Sequence, residues 1–138
     1  MTFSTIFGSI RFTADTMDIR KLQKVVVAAL EEIKGKDIEV INTTRLTAMF
    51  DRIVICTGDS NRQTRSLARN VQDKVRESGG QVVSVEGEES GEWVLVDLGD
   101  MVVHVMQPAV RSYYNLEELW SATPAARRRL VGASADDR

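Results

Sequence analysis

The run Trp93–Met106, WVLVDLGDMVVHVM, constrains the fold of this chain more than any other stretch. Two β-rich apolar segments, WVLVDL and MVVHVM, flank the dipeptide Gly99–Asp100, which predicts a β-hairpin. With Leu98 and Gly99 as a two-residue loop, Asp97 faces Asp100, Leu95 faces Val102 and Trp93 faces His104. Opposed residues share one side of a sheet, so that side carries Trp93, Leu95, Asp97, Asp100, Val102, His104 and Met106. The other side carries Val94, Val96, Met101, Val103 and Val105, all apolar, and belongs to a core. A three-residue loop would instead set Trp93 opposite Val105 and split the mixed face. That face, holding a Trp, two carboxylates and the only His of the chain, is the expected working surface.

A chain of 138 residues is one domain, large enough to bury a core without disulfides or metals. Its net charge of −2 gives no global basic field for nucleic acid or an anionic membrane. The single cysteine, Cys56, excludes an internal disulfide and fits a reducing compartment. One Cys and one His cannot make a Cys/His zinc site within one chain. No apolar run approaches the ~18 residues of a membrane span.

Residues 1–16 show no clean period and read as a flexible leader. They are acid-poor and rich in Ser and Thr, as transit peptides are, but Arg11 alone is too little positive charge. A start at Met17 would serve equally well. From Asp18 to Lys34, apolar residues at i, i+3, i+4, i+7, i+8 and i+11 predict a helix stopped by Gly35. Strands are expected over Asp37–Asn42 and Asp51–Cys56. The unalternating Ile53–Cys56 marks a strand covered on both faces, with Cys56 a core residue rather than a nucleophile. TGDSNRQ then turns into a helix reaching about Ser78, with Ser60 and Gln63 as its capping box. A third strand, Gln81–Gly87, precedes the hairpin. Beyond Pro108 come a short helical turn to Tyr114 and the segment NLEELW, capped by Asn115. The last residues, 122–138, read as a flexible tail. A βαβ crossover from Asp51 to Val85 and the closing antiparallel hairpin predict an α/β domain with one mixed sheet and packed helices.

Catalytic chemistry is thinly represented. Asp97 and Asp100 are the two carboxylates that a metal-dependent nucleotide transferase would use, but a third carboxylate and a phosphate-gripping loop are not evident. His104 lacks a Ser or Cys nucleophile in motif context. The strand–Gly turn–helix at Gly58 resembles an anion site without a GxGxxG or Walker pattern. Arg62, Arg65 and Arg69 share a helical face; they could meet phosphates or simply be solvated. The mixed hairpin face is therefore expected to bind protein, with aromatic anchors and charged flanks.

CTGDSNRQ, VEGEESGEWVLVDLGDMVVHVM and RSYYNLEELW together resemble the ribosome silencing factor family, also called Iojap or RsfS, from about Met17 to Ser121. The ordered pattern EGE…W…VDLGD…VHV…R..Y.LE.LW carries the resemblance. It implies a mixed α/β domain of nucleotidyltransferase-like shape without that activity, needing no cofactor and usually a homodimer in the cytoplasm. It further implies binding to the large ribosomal subunit through ribosomal protein fourteen, which blocks joining with the small subunit. No specificity for nucleic acid is implied. Matching motif positions are Gly58, Ser60 and Arg62 in the turn and Trp93, Asp97, Leu98, Gly99, Asp100 and His104 in the hairpin. Arg111, Tyr114, Leu116 and Trp120 match downstream. Asp59 and Ser112 depart from the common pattern, and Ser112 makes its segment less cationic. The expected docking surface is Trp93, Leu95, Asp97, Leu98, Asp100, His104, Arg111 and Tyr114. The spacing of Trp120 points instead to core or dimer packing.

Overall fold

In a computed structural model, which describes residues 17–121, the unalternating run Ile53–Cys56 is buried on both sides, as its sequence requires. Val54 and Cys56 face one apolar cluster while Ile53 and Ile55 face another. The expected leader at 1–16 and tail at 122–138 lie outside the described residues. The strand holding this run, β2 (Arg52–Thr57), sits inside a five-stranded sheet. Its neighbours are β1 (Lys36–Asn42), antiparallel, and β5 (Met101–Met106), parallel. Beyond β5 lie β4 (Trp93–Asp97) and the short edge strand β3 (Ser84–Glu86), each antiparallel to its neighbour. The sheet is thus mixed, as the pattern of the chain predicts.

The crossover from β2 returns to the sheet through α2 (Asn61–Glu77), but β3 does not pair with β2. The hairpin β4–β5 separates them, and β5 takes the parallel position beside β2. Every residue of β5 is buried, whereas β3 keeps Glu86 and the adjoining Val83 in water. The more apolar strand takes the centre because it gains most by leaving water. The third strand is also shorter than the expected Gln81–Gly87; before Ser84 only the Val83 amide reaches across, to the Asp97 carbonyl at 2.8 Å.

α1 (Ile19–Glu32) and α2 cover one face of the sheet. Leu22, Val26, Ala29 and Leu30 of α1 and Leu67, Val71 and Val75 of α2 meet Val94, Val96, Val103 and Val105 there. Asp18 caps α1 by accepting the Arg20 amide, and Ser60 caps α2 by accepting the Gln63 amide at 3.1 Å. The Gln63 side chain reaches back to the Asp59 amide at 2.7 Å and not to that of Ser60, a capping box displaced by one residue. On the opposite face lie α3 (Pro108–Tyr114) and α4 (Leu116–Ser121), separated by Asn115 in the left-handed conformation. Val110, Leu116 and Trp120 pack there with Ile53, Ile55, Met106 and Phe50. Trp120 meets Phe50 edge-on, with ring centroids 5.4 Å apart, in keeping with the packing role its spacing suggests. Among the described residues no helix is long and apolar enough to cross a membrane.

Candidate functional site

The hairpin loop is Gly99–Asp100, closed by the Leu98 amide donating to the Met101 carbonyl at 2.8 Å. Trp93 therefore lies opposite Met106, Leu95 opposite His104 and Asp97 opposite Val102. The expected pairing of Trp93 with His104 and Asp97 with Asp100 is wrong by two positions. Gly99, with φ near +91°, occupies a turn position that Leu98 would enter only under strain, which selects this loop. Because side chains alternate with period two, a slip of two leaves both faces intact. Trp93, Leu95, Asp97, Val102, His104 and Met106 share one side, as expected.

Leu98 falls on the other side. It is buried in the cluster beneath α1 and α2, so it is a core residue and leaves the expected docking surface. Arg111 leaves it too. The residue is 9% exposed, and its guanidinium donates to the Asp37 carbonyl at 2.6 Å and Thr57 Oγ1 at 2.8 Å and pairs with Glu117 at 2.9 Å. This one side chain ties α3 to β1, β2 and α4. The planar fork of arginine suits such a multi-point strut.

What remains on the mixed face is an aromatic series running from the interior to water. His104 is buried, and Trp93 donates its indole N–H to His104 Nδ1 at 3.0 Å, so Nδ1 holds no proton and the ring is neutral. Burial disfavours the imidazolium, pushing the His104 pKa down to about 4. Trp93 is half-buried and stacks obliquely on Tyr114, centroids 4.8 Å apart. Tyr114 meets Tyr113 edge to face at 5.0 Å, and the two are 53% and 81% exposed. Tyr113 was not among the expected contacts; the Tyr113–Tyr114 doublet was its signal, and only the helical turn of α3 shows that both rings reach water.

The backbone that carries Trp93 is tightly held. Gly87, at φ near +87°, lies so close to the Trp93 carbonyl that a Cβ would overlap it. The Gly91 carbonyl accepts from Thr64 Oγ1 and from Gln107 Nε2, which also donates to Asn61 Oδ1. Arg65 donates to the carbonyls of Glu88 and Glu89 and so is a clamp on this loop, not part of a free arginine row.

The segment is also strongly acidic. Between Arg76 and Arg111 the sequence holds no Lys or Arg, while Glu86, Glu88, Glu89, Glu92, Asp97 and Asp100 all fall within it. Asp97 accepts the Gly99 amide at 2.8 Å and so stabilises the turn; Asp100 is exposed. Among the described residues no three His, Cys, Asp or Glu side chains gather as a metal site. Cys56 is fully buried, and burial pushes its thiol up to about 11, which suppresses the thiolate a nucleophile needs.

Comparison with known proteins agrees with this architecture. The family described as "Ribosomal silencing factor during starvation" matches residues 16–138. A Chromobacterium violaceum protein named "Ribosomal silencing factor RsfS" is 57% identical over 104 residues, covering 75% of this chain and 85% of that protein. A crystal structure of a Chromobacterium violaceum protein superposes with TM-score 0.75 at 55% identity, covering 78% of this chain and 89% of that one. A more distant mouse relative, 30% identical over 100 residues (70% of this chain and 44% of that protein), is named "Mitochondrial assembly of ribosomal large subunit protein 1". The chain belongs to the ribosomal silencing factor family, RsfS, to which the Iojap proteins are related.

Proposed function

We propose that this protein represses translation by binding the large ribosomal subunit through ribosomal protein fourteen, its bulk then obstructing the small subunit. The observation that carries this reading is the aromatic series Trp93–Tyr114–Tyr113, which passes from the core to water and starts from Trp93 in the stretch 77–110 that holds no Lys or Arg. Exposed Tyr rings on a rigid support supply contact area at little entropic cost, and surrounding carboxylates favour a basic protein surface over a phosphate backbone. Leu95, Asp97 and Asp100 flank the series and complete the docking face. Trp93 and His104 support it from beneath.

The action is steric and regulatory, carried out in the cytoplasm by a homodimer and without catalysis. Asp97 Oδ1 accepts the turn amide of Gly99, and His104 is buried with its Nδ1 lone pair taken up by the Trp93 indole N–H, so both are engaged in holding the hairpin. Co-sedimentation with isolated large subunits, small subunits and joined ribosomes tests the proposal. Wild type should pellet with free large subunits only, and Tyr113→Ala/Tyr114→Ala should not pellet with them. Binding by a folded double variant at wild-type strength would remove this surface from the reading; no wild-type binding would remove the ribosomal partner.

A further inference from the structure

We propose that the exposed stripe Arg62, Arg69 and Arg76 on α2 makes a sequence-independent contact with the phosphate backbone of ribosomal RNA beside the docking site. The inference rests on the reading that the chain binds the large subunit.

The three arginines recur every seven residues, which keeps them on one side of the helix, and all three are exposed. At 1.5 Å per residue the stripe spans about 21 Å. The ion pairs among the described residues join Lys36 to Asp59, Lys74 to Glu32 and Glu77, and Arg111 to Glu117. None involves the stripe, so its three charges face water. Arg65, which the sequence groups with Arg62 and Arg69, turns instead to the loop carbonyls of Glu88 and Glu89.

Position supports the same conclusion. Arg62 follows Asn61, whose side chain is bonded to Gln107, the residue that leads into the helix carrying Tyr113 and Tyr114. The stripe therefore starts at the end of α2 that is bonded to the residue preceding α3. α1 and α2 carry three and five cations against two anions each, whereas no cation lies between Arg76 and Arg111. Cations thus predominate on the two helices and carboxylates in the stretch that carries Trp93. A ribosomal surface offers partners for both, a basic protein and a polyanion. The stripe carries no aromatic residue to stack on a base, so it fits phosphates and reads no sequence.

The test is large-subunit binding measured across a series of KCl concentrations for wild type and for Arg62→Gln/Arg69→Gln/Arg76→Gln. Each phosphate contact contributes ~0.7–0.9 to the slope of log affinity against log salt, so the triple variant should flatten that slope by about 2–3. The triple Arg→Lys variant should keep the slope, since only charge is required. Tyr114→Ala should weaken binding at every salt concentration and leave the slope unchanged. A triple Gln variant with wild-type slope and affinity overturns this inference while leaving large-subunit binding in place. Failure of wild type itself to bind overturns both.

Discussion

Trp93 and His104 are bound diagonally across the hairpin, the indole N–H donating to Nδ1 at 3.0 Å, although their backbones are not opposed. The bond fixes the tautomer of the only histidine and anchors the ring on which Tyr114 stacks. It makes the support of the docking face a matter of protonation state.

The first consequence is a pH dependence of stability. His104 has a folded pKa of about 4, below the ordinary 6.5 of an unfolded histidine. Above pH 6.5 both states are neutral and the full stability is present. As pH falls from 6.5 to 4 the unfolded chain takes up a proton that the folded chain refuses, so stability is lost. The loss attributable to His104 approaches about 3 kcal/mol by pH 4. Urea midpoints at pH 7, 6, 5 and 4.5 should decline for wild type more steeply than for His104→Gln, which keeps an acceptor but cannot titrate in this range.

Trp93 and Tyr114 should behave differently when changed. Trp93→Phe leaves buried Nδ1 without its donor and should cost about 1–2 kcal/mol of stability. Trp93→Ala should cost about 3 kcal/mol or more, because it also leaves a cavity above Met106. Tyr114→Ala, at a half-exposed site, should leave the unfolding midpoint nearly unchanged while weakening large-subunit binding by ~30-fold, about 2 kcal/mol. Parallel denaturation and binding titrations separate the support from the contact.

Arg111→Met should destabilise the fold by roughly 3 kcal/mol, since it removes the cation from a largely buried pair with Glu117 and the donors to Asp37 and Thr57. Adding Glu117→Gln should recover part of the loss. Thermal melts of the two single variants and the double variant measure the coupling. A fully additive result would show that the pair is not the origin of the effect.

Cys56 should resist thiol reagents in the native state and react readily in urea. Its thiol is buried and pushed up to about 11, so modification must wait for opening of the strand. The rate of reaction with a chromogenic disulfide, followed against urea concentration, should track the unfolded fraction.

Much of this molecule follows from local pattern. The apolar stripe of α1, the cap at Ser60, the twofold coverage of Ile53–Cys56 and the division of the hairpin into an apolar and a mixed face are all written in side-chain periodicity. So is the family, through the ordered residues from EGE to LEELW. Face membership survives even the misplaced loop, because a period of two is blind to a slip of two. That same blindness is why the register itself was not legible: it depended on Gly99 taking the left-handed position.

Other outcomes depend on what lies distant along the chain. Arg111 matches the family pattern, yet only the approach of Asp37, Thr57 and Glu117, drawn from three other elements, makes it a buried strut. Arg65 looks like its neighbours Arg62 and Arg69 until the loop at Glu88 and Glu89 closes over it. Tyr113 differs from Tyr114 by one residue, and the turn of α3 leaves it the more exposed. Periodicity determines which face a side chain shares, because it is a property of the backbone alone. Whether that face meets water, a carbonyl or another ring is decided only when the elements pack.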